Sequence, residues 1–160
     1  GIAMDKGMTI AQLYIQRAPL YEKYADITVN CSSMTPEQCV DKIIEMLATD
    51  YISGLTLLGG EPFELANQLG LLPLVRKVKE IYPNKKIWSY SGYLFDEQIL
   101  GKMAKEHIYT QELLTYIDVL VDGPFIQDWK HTTLPFRGSC NQRIIDLKTP
   151  HNYANILNFQ

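Results

Sequence analysis

β-prone apolar runs alternate with stretches of helical periodicity from Thr35 to Val121, and this predicts an α/β fold with a mostly parallel sheet. The ends of the runs support the same reading. Gly59-Gly60-Glu61-Pro62 follows the first run, Ser91-Gly92 the second and Asp122-Gly123 the third. In a parallel sheet these positions are the carboxyl ends of the strands, where ligands bind.

Thr35-Pro36-Glu37-Gln38 combines a capping residue, a first-turn proline and a glutamine at the capping-box position. Val40, Ile43, Ile44 and Leu47 then recur at helical spacing, predicting a helix over about 36–48. Ile52–Leu58 reads as a strand. A helical pattern over about 63–81 carries Leu72, Val75, Val78 and Ile81, and Pro73 is expected to kink or divide it. Pro83-Asn84 marks a turn, Ile87–Ser91 a strand, and residues 95–105 and 110–115 two further helices. Ile117–Val121 is a strand, and Ile144 and Ile145 mark a candidate last one. Residues 10–24 mix helical and extended signals around Pro19, Asp26–Cys31 is a candidate short strand, and the tail after Pro150 carries no readable pattern.

At 160 residues the chain is expected to form a single domain, with 46% hydrophobic and 21% charged residues. A net charge of −3 gives no reason to expect nucleic acid or an anionic membrane as partner. No apolar run approaches the ~20 residues of a membrane span. The first residues lack the apolar core of a signal peptide, so a cytoplasmic protein is expected. Cys31, Cys39 and Cys140 are a sparse, odd-numbered set that fits a reducing compartment.

The segment Leu55-Thr-Leu-Leu-Gly-Gly-Glu-Pro-Phe63 carries the strongest chemical signal. Gly59 and Gly60 allow backbone conformations closed to other residues and a close ligand approach. Pro62 is preset for a first helical turn, whose free N–H groups and dipole favour an anion such as a carboxylate. Glu61 adds an acceptor for a cation beside it. One anion acceptor next to one cation acceptor suits the zwitterionic end of an amino acid.

A strand–GGEP–helix junction of this kind resembles the radical S-adenosylmethionine (SAM) enzymes. With Ile87-Trp-Ser-Tyr-Ser-Gly-Tyr93, Tyr116-Ile-Asp-Val-Leu-Val-Asp-Gly123 and Phe136-Arg-Gly-Ser-Cys-Asn-Gln-Arg-Ile-Ile-Asp146 in order, the chain resembles the anaerobic ribonucleoside-triphosphate reductase activating proteins. The resemblance covers about 35–147 as a family-like core, with 1–34 an atypical N-terminal region and 148–160 a tail. It implies an incomplete (βα) barrel and a radical-SAM activity: a [4Fe–4S] cluster reduces bound SAM, and the resulting radical leaves a glycyl radical on the anaerobic reductase. It implies that reductase and an electron donor such as flavodoxin as partners. Carried over, Gly59, Gly60 and Glu61 would hold the methionine end of SAM, and Ser91 and Asp122 would make polar cofactor contacts. Arg137, Asn141, Gln142 and Arg143 either shape the site, meet the partner or form a packed polar loop with surface arginines.

The chain departs from the family pattern at the cluster. The family places Cys-x3-Cys-x2-Cys after its first strand, because three thiolates each ligate one iron and leave the fourth open. Here Cys31 is a candidate end of that strand and the one weak metal candidate, and Ser32-Ser33-Met34 leads straight into the helix. Two readings follow: a radical-SAM activator with an altered N-terminal region, or a non-catalytic relative that binds SAM, a nucleotide or the reductase as a regulator. A third has the three cysteines converging in space. His107, His131 and His151 lack metal-ligand spacing, Arg76, Lys77, Lys79, Lys85 and Lys86 read as solvated faces, and Trp88 and Tyr90 as core.

Overall fold

The computed structural model describes residues 7–25 and 28–149. Strands β1 (Gly54–Leu57), β2 (Lys86–Tyr90), β3 (Val119–Asp122) and β4 (Arg143–Asp146) form one open sheet in sequence order. β1, β2 and β3 are parallel, with Thr56 beside Trp88 and Trp88 beside Val119. β4 runs antiparallel to β3, with Leu120 facing Ile145. The fold is therefore α/β with a mostly parallel sheet.

Helical segments accompany the sheet. α1 (Ile10–Tyr24) and α2 (Pro36–Leu47) each begin with a capping box, Thr9 with Gln12 and Thr35 with Gln38. α3 (Leu65–Ile81) links β1 to β2. A π-helical stretch (Phe95–Met103), α4 (Ala104–Glu106) and α5 (Ile108–Tyr116) link β2 to β3. α1 is one continuous helix through Pro19, and α3 is not divided by Pro73, whose side chain stays exposed.

The two faces of the sheet differ. Leu57, Ile87, Leu120 and Ile145 point to one face and pack with Ile44, Phe63, Val75, Val78, Ile99 and Leu113 of the helical layer. Trp88, Tyr90, Val119, Val121 and Ile144 form a smaller cluster on the other face. There the β3–β4 loop contributes Phe136, whose ring lies 5.3 Å from that of Trp88. The period of two in β2 and β3 thus sends alternate residues into two different environments.

The amino end of the sheet is fixed by one carboxylate. Asp118, 5% exposed, accepts the Ile87 N–H at 2.7 Å and Lys79 Nζ at 2.6 Å. Lys79 also donates to the Lys85 carbonyl at 3.0 Å, so it is an internal cation and not part of a solvated face. Lys85 likewise turns inward to the carbonyls of Thr49 and Ile52, capping the turn before β1. Arg76 grips Glu112 on α5 with two hydrogen bonds and Lys77 pairs with Asp41 on α2, tying α3 to both neighbours.

The expected short strand at 26–31 does not form over its described part, residues 28–31. Local turn chemistry takes its place: Asn30 Oδ1 accepts the Ser32 N–H at 3.0 Å, and the Cys31 carbonyl accepts Met34 N–H at 3.1 Å. His151 and the tail after Pro150 lie outside the described residues.

Replacing Asp118 by alanine strands a buried amide and a largely buried ammonium. We expect a loss of about 3 kcal/mol in unfolding free energy by urea titration.

Candidate functional site

The loops at the carboxyl ends of the three parallel strands enclose a cavity of about 560 Å³. Leu58–Pro62 contributes one wall, Tyr90–Gly92 a second and Gly123 with Phe125 and Gln142 a third, while Arg17 reaches in from α1. Gly59, Gly60, Glu61, Ser91 and Gly123 are thus brought to one place, as the ends of a parallel sheet require.

The GGEP turn has an unusual backbone. Gly59, Gly60 and Glu61 all have positive φ, at +81°, +62° and +51°. A Cβ at either glycine would meet nothing within 4 Å, so conformation and not space demands glycine here. Glu61 holds this left-handed backbone without that freedom, at a cost of order 1 kcal/mol.

Glu61 is held by its carboxylate. Oε1 accepts the Ser91 hydroxyl at 2.7 Å and the Phe63 N–H at 3.1 Å, and Oε2 accepts the Gly92 N–H at 2.7 Å. Three of roughly four lone-pair sites are engaged, which leaves room for one further donor. The acid is therefore a bridge between the ends of β1 and β2 as well as an acceptor in the cavity. Ser91, 5% exposed, owes its orientation to this bond and accepts the Tyr93 N–H at 3.1 Å.

The turn does not run directly into a helix as expected from Pro62. Pro62–Glu64 forms a separate turn closed by Glu64 N–H to the Glu61 carbonyl at 3.0 Å, and α3 starts at Leu65. The Phe63 N–H, a candidate anion donor by sequence, is taken by the Glu61 side chain. The left-handed backbone at Glu61 turns that side chain back over the turn that follows.

Asp122 is fully buried and accepts three hydrogen bonds from two residues. It accepts the Phe95 N–H at 2.8 Å, Arg143 Nε at 3.0 Å and Arg143 Nη2. The hydrogen bond to Asp122 is also the main reason the Arg143 guanidinium titrates above its ordinary range. Arg143 Nη1 reaches Asp96 at 2.6 Å. Asp122 thus sits beneath the cavity as a structural anchor, and Gly123 is the residue of this pair that lines the wall.

The segment Arg137–Arg143 packs against the third wall. Gln142 Nε2 donates to the Gly123 carbonyl at 3.1 Å while its Oε1 accepts the N–H groups of Gly138 and Ser139. Asn141 donates to the Pro124 carbonyl at 2.7 Å, and Arg137 to the Gln142 carbonyl at 2.9 Å. These side chains shape the site by fixing their own loop. Tyr90 donates to the Phe136 carbonyl at 2.8 Å, and burial raises its phenol pKa. Tyr93 donates to Glu64 at 3.0 Å, a bond that holds its proton and raises its pKa.

Sequence reading missed Arg17 and Asn67. Arg17 stands on a helix with no motif around it. Asn67 donates to the carbonyls of Gly60 and of Glu61, the latter at 3.1 Å, and its only sequence signal is an amide one helical turn after GGEP.

The cysteines do not converge as a trio. The Cys31 thiol lies beside Cys39 and, through a hydrogen bond, raises the Cys39 pKa. Cys140 is exposed in the β3–β4 loop, where its N–H donates to the Trp129 carbonyl at 3.0 Å. Among the described residues no group of three His, Cys, Asp or Glu side chains is placed to hold a metal ion. Among them, too, no helix is long and apolar enough to cross a membrane.

Residues 22–145 match the family described as a 4Fe-4S single cluster domain. Three similar proteins bear the name anaerobic ribonucleoside-triphosphate reductase-activating protein. That of Haemophilus influenzae is 46% identical over 57% of this chain and 54% of its own length. That of Vibrio cholerae is 43% identical over 68% and 66%, and that of Escherichia coli 34% identical over 75% and 74%. The matched stretch spans little more than half the length of the first of these relatives. No solved structure matches the chain.

Because Gly60 holds a left-handed backbone in open space, Gly60→Ala is expected to cost about 1 kcal/mol through strain alone. Urea denaturation of the purified variant measures it.

Proposed function

The chain belongs to the 4Fe-4S single cluster domain family and to the anaerobic ribonucleoside-triphosphate reductase-activating proteins, and from that premise we propose that it is an activating protein that binds SAM in the GGEP cavity. The observation that carries this reading is the Glu61 carboxylate, fixed by Ser91, Gly92 and Phe63 with one acceptor site left beside a cavity that Arg17 also lines. A carboxylate with an acceptor site left in the cavity suits the ammonium of a methionine. Gly59 and Gly60 let that end of the ligand approach the main chain. Ser91 acts by holding Glu61, and Asp122 by anchoring Gly123, whose wall faces the cofactor.

SAM bound there would supply, if a cluster delivered the electron for its cleavage, a 5′-deoxyadenosyl radical that takes a hydrogen atom from a glycine of the partner reductase and leaves the glycyl radical there. An electron donor such as flavodoxin completes this assignment, in the cytoplasm. Helices α2, α3 and α5 and the π-helical stretch pack on one face of the open sheet, which supports reading it as the wall of an incomplete (βα) barrel of radical-SAM type. The chain is read as one domain, with 35–147 as its core.

The [4Fe–4S] cluster used by the family does not fit the described residues. Cys31 has Cys39 as its thiol neighbour, with no third ligand, and Cys31 by itself cannot hold a cluster. No electron-transfer step therefore falls to a residue described here. The same observation favours a second reading, a non-catalytic relative that keeps the SAM pocket and binds the reductase or a nucleotide as a regulator.

Anaerobic reconstitution with iron and sulfide separates the two. About four irons per chain, with a paramagnetic signal that shifts on adding SAM, establishes the radical enzyme. No bound iron together with measurable SAM binding establishes the non-catalytic relative, and no SAM binding in either preparation overturns the pocket. Where SAM binds, Glu61→Gln should weaken it about tenfold or more in equilibrium dialysis, because an amide cannot replace the charged acceptor.

A further inference from the structure

Asn67 sits in the first turn of α3, and its side chain points back toward the amino end of the helix, as helical side chains do. It meets the GGEP turn there. Its amide nitrogen donates to the carbonyls of both Gly60 and Glu61, two acceptors that together use both of its N–H groups. These are the last two of three consecutive residues in the left-handed region. Asn67 borders a separate cavity of about 530 Å³ on another side of the turn, with Gly59, Gly60 and Pro62, and it is not part of the wall of the site cavity. It therefore supports the turn from outside the site.

We infer that Asn67 is a positioning residue that aims the Glu61 carboxylate at the α-amino group of the bound amino-acid moiety. The physical link is short. Peptide groups are planar, so fixing the directions of two successive carbonyls fixes the backbone torsions at Glu61 between them. Those torsions decide where its Cβ and carboxylate stand. Ser91, Gly92 and Phe63 then hold the carboxylate oxygens, but only at a position the backbone already permits. Without the Asn67 clamp, Glu61 is free to leave the left-handed region for a commoner conformation, and its carboxylate leaves the cavity with it.

This inference rests on the SAM reading above, and the test is chosen so that the two fail differently. Equilibrium dialysis of the full chain compares SAM with its analogue lacking the α-amino group, for the native protein, Asn67→Asp and Asn67→Ala. Aspartate keeps the shape and replaces the N–H donors by a charge that repels both carbonyls. Alanine removes the clamp without that repulsion, and near-ultraviolet circular dichroism checks that each variant is folded. The native protein is expected to prefer SAM over the analogue by about tenfold or more, the effect of one hydrogen bond to a charged group. Both variants are expected to lose most of that preference, with the affinity for the analogue unchanged. Folded variants that keep the native preference overturn the inference, as does an equal loss of affinity for both ligands, which marks a merely structural residue. A native protein that binds SAM without preferring it, or does not bind it, overturns the assignment of Glu61 to the amino group and the inference with it.

Discussion

Strand β3 is buried along its whole length and has a buried acid at each end, Asp118 just before it and Asp122 as its last residue. Burying a carboxylate costs several kcal/mol unless charge and hydrogen bonds compensate, so each acid must recruit partners from other elements. Asp118 recruits Ile87 of β2 and Lys79 of α3. Asp122 recruits Phe95 at the start of the π-helical stretch and Arg143 of β4. The parallel register on one side of β3, the antiparallel strand on the other and the docking of two helical segments are all tied to these two demands.

The site inherits its geometry from that frame. With β1, β2 and β3 in register, the three glycine-bearing turns stand side by side, and the Glu61 carboxylate joins the first to the second. Gln142 and Asn141 join the third to the β3–β4 loop. Each wall is held by side chains whose hydrogen-bonding capacity is largely spent inside the protein. A wall of this kind loses little freedom when a ligand arrives, and rigid walls of that sort bind better than mobile ones. The one acceptor position still open on Glu61 is therefore a well-defined feature of the cavity.

Kinship and chemistry stand at different places along the chain. The identity to reductase-activating proteins and the match to a 4Fe-4S single cluster domain extend over most of the sequence. The cavity at the strand ends, apart from Arg17, lies within that stretch. The thiolates that a cluster needs are not assembled among the described residues, where Cys31 in the exposed segment before α2 meets only the half-buried Cys39 of that helix and Cys140 sits in the β3–β4 loop. The cavity at the strand ends and the cysteines near α2 are thus held by different parts of the chain, the one by the carboxyl ends of the sheet and the other by the segment ahead of α2.

The amino-acid sequence by itself determined the alternating α/β pattern, the boundaries of α2 and β2 to within a residue or two, and the convergence of GGEP, Ser91-Gly92 and Asp122-Gly123. Those features depend on local periodicity, capping and strand direction, all of which a linear pattern records. Tertiary structure alone decided that Lys79 is an internal cation, that Asp122 is an anchor below the cavity, and that α3 begins at Leu65. It also decided that Asn30 and Cys31 form a turn where a strand was expected, and that Asn67 clamps the GGEP turn. Each of these depends on which polar group a residue meets across the fold. A charged or amide side chain has the same sequence signature whether it faces water or a buried partner, and only the packed structure supplies the partner.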